Sequence, residues 1–335
     1  MVRVNVDLDL NQPAMAVLTL VNKGHRHSTT HAQGDAVEIS VGDGNTAIFK
    51  GEIVGIEPIY EAGGESKVQI RAFDKMHRLL RGRKSRTFQD QSDSAIVSTI
   101  CGDHGLTADS ASTPNITHKH VYQHAQTDME FLRTRAARLG FSVWVEDTKL
   151  HFKKPDPAVD SGIEFAMSSN PNTGHRMKRF APRMSSAGVV KKVTVRAWDP
   201  EKKAEIVGEA EAKSSRLGST NAASAANTFG EVKTFIVDQP VASVEQAKAI
   251  AQAKLDELSM SYITGEAECI GKPDYKPGIV VKITVNDEKA DDLFNGKYMI
   301  VGASHVYSPG GAGAGASTGG YNCILKVTRD AQKGS

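Results

Sequence analysis

The chain has 335 residues and a mass of 36.0 kDa, a length that admits two domains and leaves room for three or four small modules. A folded chain of that mass buries roughly three quarters of its unfolded surface, so its hydrophobic cores need no covalent staples. Lys plus Arg number 41 against 39 for Asp plus Glu, a formal charge of +2 without a basic tail, which speaks against a general nucleic-acid binder.

Cys101, Cys269 and Cys323 are an odd, scattered set with no CxxC pair. Neither a disulfide framework nor a zinc ribbon is expected, and synthesis in a reducing cytoplasm is the natural reading. From Val2 to Leu10 apolar and polar side chains alternate, which predicts a strand and not a signal peptide. No window approaches eighteen uninterrupted apolar residues, so no membrane span is expected.

From Val2 to Asp74 the dominant period is two: Val2, Val4, Val6 and Leu8, then Val37, Ile39 and Val41, then Val68, Ile70 and Ala72. That pattern predicts strands. Turn chemistry at residues 42–45 and 61–64 separates them where hairpins would reverse, and short turns favour antiparallel pairing. A basic connector, Arg78 to Arg86, leads to a helix capped near Ser92 and ending at Gly102 or Gly105. Thr127 and Glu130 form a capping box for a second helix that carries Met129, Leu132, Ala136 and Leu139 on one face and stops at Gly140. A hairpin turning at Asp147-Thr148 completes a small α+β unit. Strand patterning resumes at residues 188–200 and 204–210. Lys213 to Gly230, rich in Ser, Ala, Asn and Gly, predicts an exposed mobile loop. Ser243 and Gln246 cap a helix with Ala247, Ile250, Ala251, Leu255 and Leu258 along one stripe. Four more strands, at residues 262–270, 280–285, 298–306 and 321–328, finish the chain.

The two β-rich regions resemble each other. Ala36-Val-Glu-Ile-Ser-Val41 matches Val280-Val-Lys-Ile-Thr-Val285, and each leads to a Phe-x-Gly, at Phe49 with Gly51 and at Phe294 with Gly296. An apolar strand holding Val54-Gly55 or Val301-Gly302 follows, then a last strand; the spacing between Phe and Val-Gly drifts by two residues. The repeat positions are Val37, Ile39, Val41, Phe49 and Gly51 in the first copy and Val281, Ile283, Val285, Phe294 and Gly296 in the second. A real repeat places two similar barrels in one chain.

No catalytic, cofactor-binding or metal-binding residue is assigned. Gly315-Ala-Ser-Thr-Gly319 matches GxSxG, but Ser317 lacks the strand-to-helix context that a nucleophile needs. His25, His27 and His31, and His118, His120 and His124, are the densest histidine groups; without a closing Cys or carboxylate set they are expected to be exposed polar residues. No carboxylate pair stands out for glycoside hydrolysis. Arg78, Arg81, Arg83, Lys84 and Arg86 lack interleaved aromatic residues and are expected to form a solvated or subunit-contacting linker. A hydrolase or a glycan-binding β protein is the alternative to a structural role.

Asp74-x4-Leu79-Leu80-Arg81, the capped helix near Ser92, Tyr122-Gln123, Asp128-Met-Glu-Phe-Leu132, Ala137-x2-Gly140-Phe141, Leu150-x-Phe152 and the later Val193-Thr-Val-Arg-Ala-Trp-Asp-Pro200 come in an order that resembles the phage late control protein D family and the N-terminal hub region of the type VI valine-glycine repeat spike proteins. The resemblance implies a non-enzymatic baseplate hub of a contractile tail or injection system. As a homotrimer it would present quasi-sixfold symmetry to a hexameric tail tube protein and threefold symmetry to a trimeric spike protein, with other baseplate proteins around it. No cofactor, nucleic acid or membrane span belongs to that picture. The chain would be made in the cytoplasm and end up in the particle; with no opening hairpin at its start and no fused spike at its end, it would meet a separate spike. The fold expected is mainly β with α+β insertions: a first tube-like antiparallel β-barrel over residues 1–84, a small α+β domain over 85–157, and a second tube-like barrel over 158–212 and 262–335, interrupted by an exposed loop and helix over 213–261.

Overall fold

Alternation at the N-terminus gives β1 (Arg3–Asp9) and β2 (Met15–Val21), an antiparallel pair with Val4 opposite Leu18 and Val6 opposite Ala16. The computed structural model describes residues 3–42, 44–62, 64–114, 116–155, 160–167, 175–212, 215, 217–225, 230–238, 240–286, 288–289, 291–309 and 320–332. After a short helix α1 (Arg26–Thr30) follow β3 (Ala36–Val41), β4 (Thr46–Ile59) and β5 (Lys67–Phe73), and the strands lie in the order β1-β2-β5-β4-β3. Val4 and Val6 from one end of that order share an apolar cluster with Val37 and Ile39 from the other, around Phe49 and Ala72. The five strands therefore curl about a common core, and each large apolar side chain fully buried there contributes roughly 1.5–3 kcal/mol. At Gly51 the fit is tight: an added Cβ would meet the Phe73 carbonyl oxygen at 2.3 Å and the Phe49 ring at 2.6 Å.

Asp74 closes this unit and starts the next. Its carboxylate accepts from the backbone N–H groups of Met76 and Ala14, each at 3.0 Å, capping a 3₁₀ turn at Lys75–Leu80 and tying it to the start of β2. Then come β6 (Lys84–Ser92), α2 (Asp93–Asp103), β7 (Thr107–Asp109), β8 (Thr117–Gln126), α3 (Asp128–Leu139), β9 (Ser142–Glu146) and β10 (Lys149–Lys153). β6 pairs with β8, and β7-β10-β9 form a separate sheet. The α3 capping box is reciprocal: Glu130 N–H donates to Thr127 Oγ1 at 3.1 Å, and Thr127 N–H donates to Glu130 Oε2 at 2.9 Å. Met129, Leu132 and Ala136 are buried against Ile96, Ile100, Leu150 and Phe152, with Leu139 half-buried beside them.

The second β region runs through β11 (Asp160–Ala166), β12 (Met177–Met184), β13 (Lys192–Asp199), β14 (Ala204–Glu211), β15 (Thr220–Asn221), α4 (Ala222–Ala225), β16 (Lys233–Ile236), α5 (Val244–Met260), β17 (Ile263–Ile270), β18 (Val280–Thr284), β19 (Gly296–Ser308), β20 (Gly320–Arg329) and β21 (Ala331–Gln332). Its barrel strands lie in the order β12-β17-β20-β19-β18, and β11 adds in parallel to β18.

Two expectations for this region need correcting. β13 and β14 fall within residues 158–212 yet lie outside the barrel: they form a sheet of their own with β16, in the order β14-β13-β16. The reason is α5. Its buried stripe of Ala247, Ile250, Ala251 and Leu255 covers Val193, Val195 and Ile206. The helix also lies so close to the sheet that a Cβ on Gly208 would sit 2.3 Å from the Ala247 carbonyl carbon. Nor is 213–230 an exposed loop throughout. Leu217 and Ala222 are buried, and β15 pairs with β21. The wholly buried Arg329 holds this segment down, donating to the Leu217 carbonyl at 3.1 Å and to the Asn295 carbonyl at 2.8 Å. Among the described residues no helix is long and apolar enough to cross a membrane.

The contacts at Gly51 give a stability test. Gly51→Ala is expected to lower the thermal unfolding midpoint, at a cost of about 1–3 kcal/mol for overpacking against backbone. Gly55→Ala, whose Cβ would meet nothing nearer than 3.6 Å, is expected to change it little.

Candidate functional site: the duplicated sheet and its seam

The two barrel units share one topology. Numbered by appearance within each unit, β1-β2-β5-β4-β3 and β12-β17-β20-β19-β18 follow the same order, 1-2-5-4-3. They also share an irregularity: the β4–β5 register shifts between Ile53 and Gly55, and the β19–β20 register shifts between Ile300 and Gly302. Ile53-Val54-Gly55 and Ile300-Val301-Gly302 are thus the same tripeptide at the same bulge, the kind of local bend that lets a sheet curl.

Aligned on the bulge, Val37 opposite Gly51 corresponds to Val281 opposite Tyr298, and Ile39 opposite Phe49 corresponds to Ile283 opposite Gly296. The Phe-x-Gly motifs therefore do not superpose. Gly296 takes the place of Phe49, and Phe294 falls just ahead of its strand. β3–β4 has an extra register shift, between Ile39 and Ser40, that β18–β19 lacks. Val41 still pairs, with Thr46, whereas Val285 has left the ladder and its N–H donates to Asn295 Oδ1 at 2.7 Å.

β1 pairs antiparallel with β19, from Val4 opposite Tyr307 to Asp9 opposite Gly302, and this seam fuses the two units into one sheet of eleven strands. β18 covers only the first part of the long β19, so the remainder is free to accept β1. The seam is polar on one side, where Ser304 Oγ donates to Asp7 Oδ1 at 2.5 Å. The register carries that polar face across the sheet through Asn5, Arg71, Glu57, Lys326, Glu266 and Arg183. The opposite face holds the cores.

The α+β module is riveted to the first barrel. Arg78 forms an ion pair with Glu52 of β4 and donates to the His104 carbonyl at 3.2 Å. Lys84 and Arg86 each reach the Asp128 carboxylate at 2.7 Å, His104 Nε2 lies 2.7 Å from it, and Gln123 Nε2 donates to it at 2.9 Å. Arg83 pairs with Glu130 at 3.2 Å. Of the basic run expected to be solvated or subunit-contacting, Arg78, Lys84 and Arg86 are instead used inside the chain, while Arg81 and Arg83 are exposed. Burial works to raise the Asp128 pKa, but its donors, His104 and Lys84 foremost, prevail and hold it down at about 2.

The other candidates divide. His118 is largely buried: it accepts from Arg135 at 2.9 Å, and its Nε2 lies 3.1 Å from Asp93. His120 and His124 are exposed, and among the described residues no group of three His, Cys, Asp or Glu could hold a metal ion. Ser317 and the glycines around it lie outside the described residues.

One cluster was missed in the sequence. His305 Nε2–H donates to the Tyr275 carbonyl at 2.9 Å, the Tyr321 hydroxyl donates to Nδ1 at 2.6 Å, and Cys323 Sγ lies 3.1 Å from that nitrogen. The contact has the spacing of a nucleophile and its base. Burial, however, pushes His305 down to about 4 and Cys323 up to about 11, so both stay neutral, and both are sealed from solvent. A thiol without thiolate character is not activated. The only signal was His305 at an inward position of an alternating strand.

Between α3, α5 and the second barrel lies an open cleft of 2170 Å³, bordered by Arg83, Glu130, Arg133, Asp256, Glu257 and Lys326. It is larger than the 300–1,000 Å³ typical of small-molecule sites and suits a protein segment better than a metabolite.

The Asp128 hub sets a pH test. With its pKa below the ordinary 3.8, this carboxylate stabilises the fold above that value, by about 2 kcal/mol, and the contribution is lost as pH falls through about 2. Asp128→Asn strands its cationic partners and is expected to cost about 3 kcal/mol at pH 7. Urea unfolding should show that deficit shrinking toward pH 2; a deficit independent of pH would contradict the assignment.

Comparison with solved structures shows where this fold occurs. A 43 kDa tail protein of prophage MuSo2 from Shewanella oneidensis is 14% identical, with a TM-score of 0.71 over 99% of this chain and 95% of that one. A tail protein from Neisseria meningitidis is 12% identical, with a TM-score of 0.71 over 98% and 92%. An Escherichia coli component of the type VI secretion system, itself structurally similar to the T4 bacteriophage tail proteins gp27 and gp5, is 12% identical, with a TM-score of 0.59 over 97% and 72%. No curated protein matches. The family model of the Alg8 N-terminal domain matches residues 1–308, nearly the whole chain, and the chain belongs to that family.

Proposed function

We propose that this protein is a non-enzymatic baseplate hub of a contractile tail or injection particle, a homotrimer that adapts a hexameric tail tube to a trimeric spike. The observation that carries this reading is the duplicated five-strand unit with its shared bulge. Three copies of a chain holding two such units present six, so a threefold assembly can meet a sixfold one without mismatch; the α+β module and the α5 unit, present once per chain, keep the other side threefold. The fold's occurrence in tail proteins and in a type VI component supports the same reading.

The finer assignment, to the late control protein D hubs, rests on the motifs between Asp74 and Phe152. In this proposal the protein works mechanically: contraction elsewhere drives tube, hub and spike forward, and the hub transmits load through buried interfaces. Its partners are copies of itself, the tube protein, the spike protein and neighbouring baseplate proteins.

Mass measurement in the presence of tube and spike proteins is the test. Three chains of 36.0 kDa give an expected hub of 108 kDa, and a strictly monomeric hub under those conditions would overturn the proposal.

A further inference from the structure

β4 repeats the architecture that makes the internal seam. Like β19, it is longer than the strand beside it: β3 pairs only as far as Glu52, and Asp35 and Gly34 engage Ile53. Beyond that point no strand among the described residues covers its outer edge; the segment before β3 touches it only through side chains, Gln33 Nε2 donating to the Val54 carbonyl at 3.2 Å and the His25 ring lying 5.1 Å from that of Tyr60. At the far end of the sheet β12, which stands in the second unit where β1 stands in the first, pairs along its length with β17 alone among the described strands, with a single bridge from Ala166 to Arg176 just ahead of it. One chain thus carries an accepting overhang and a donating edge, quasi-equivalent to the joined β19 and β1.

We infer that these two edges join between neighbouring copies: residues 56–60 of one protomer pair antiparallel with residues 180–184 of the next, placing Glu57 opposite Arg183. This rests on the ring reading and names the surface that closes it. The register comes from the internal seam. Gly55 corresponds to Gly302 at the bulge, so Tyr60 corresponds to Tyr307. Val4 faces Leu18, whose counterpart Ala267 faces Phe180, so Val4 corresponds to Phe180. The internal pairs Val4–Tyr307 and Asp7–Ser304 then become Phe180–Tyr60 and Arg183–Glu57 between chains.

The side chains suit this register. On the polar face, a hydrogen-bonded Asp–Ser pair is replaced by opposite charges, both exposed in the single chain. On the core face, Phe180 meets Tyr60 and Met184 meets Ile56. Tyr60 and Met184 are among the large apolar side chains left exposed, at 62% and 39%. A slip of one residue would set Arg183 against Ile56 or Pro58 and turn the apolar set outward. Pro58 and Pro182 fall opposite each other, which gathers both missing N–H groups at one position; prolines on both edges also discourage promiscuous strand addition.

The test uses the full-length chain with Ile59→Cys and Ala181→Cys, directly opposite in this register. Such pairs have Cα atoms about 4.5–5.5 Å apart, within disulfide range, and the native thiols are buried. Mild oxidation is expected to give dimers and a closed trimer of 108 kDa, three times 36.0 kDa, with neither single variant doing so. In parallel, Glu57→Lys is expected to raise the concentration needed for half-assembly by about tenfold, and Glu57→Lys with Arg183→Glu to recover it, as complementary charges across an interface do. Glu57 also pairs with Arg71 at 3.1 Å, on the surface, a contact worth little to the fold. A trimer by mass that neither cross-links nor responds to the charge swap would overturn this seam while leaving the hub reading intact. Monomers throughout, with tube and spike proteins present, would overturn both.

Discussion

A β-strand cannot leave its outer N–H and C=O groups unanswered without inviting the wrong partner, and the unpaired edge is the constraint on which this molecule is organised. A unit of five curled strands has two edges. Duplication within one chain turns that liability into a joint: β19 overhangs β18, and β1 fills the overhang to fuse the halves into one sheet. The shared Ile-Val-Gly bulge bends both halves alike.

Most of what distinguishes the two copies is placed in their connections. The α+β module lies between the units, and the β14-β13-β16 sheet with α5 is inserted between the first and second strands of the second unit, where the first unit has only the short turn from Leu10 to Ala14. Connections tolerate such additions because they cost the ladder nothing. Each addition brings its own core and is then pinned by charge or by a buried cation: Arg78 to Glu52 on one side, Arg329 to the Leu217 carbonyl on the other. The sheet repeats, and the decorations do not.

Much of this was legible in the residues because it is written in short-range chemistry. The Thr127–Glu130 capping box, the stripe from Met129 to Ala136, the turn at Asp147 and the period-two strands all depend on neighbours within a few positions. The repeat was visible for the same reason, although Phe-x-Gly misled: Ile39 faces Phe49 where Ile283 faces Gly296, so the two like motifs stand two residues out of correspondence, and pairing partners leave no mark in hydrophobic periodicity. What was illegible was long-range. Val193 and Val195 alternate like any barrel strand, and only α5, some fifty residues later, decides which core they enter. The Ser- and Ala-rich segment around Leu217 looks solvated until Arg329 reaches it, and the cationic run near Arg86 looks free until Asp128 meets it.

The central claim is that two quasi-equivalent units per chain let a threefold ring meet a sixfold tube. The most direct measurement is an end-on image of the hub in place at the distal end of the tube, by single-particle electron microscopy. The account expects three copies per particle, with six evenly spaced sheet segments facing the tube and three α+β modules around them. A copy number other than three, or a tube-facing surface whose two segments per chain sit at unequal positions, would contradict it.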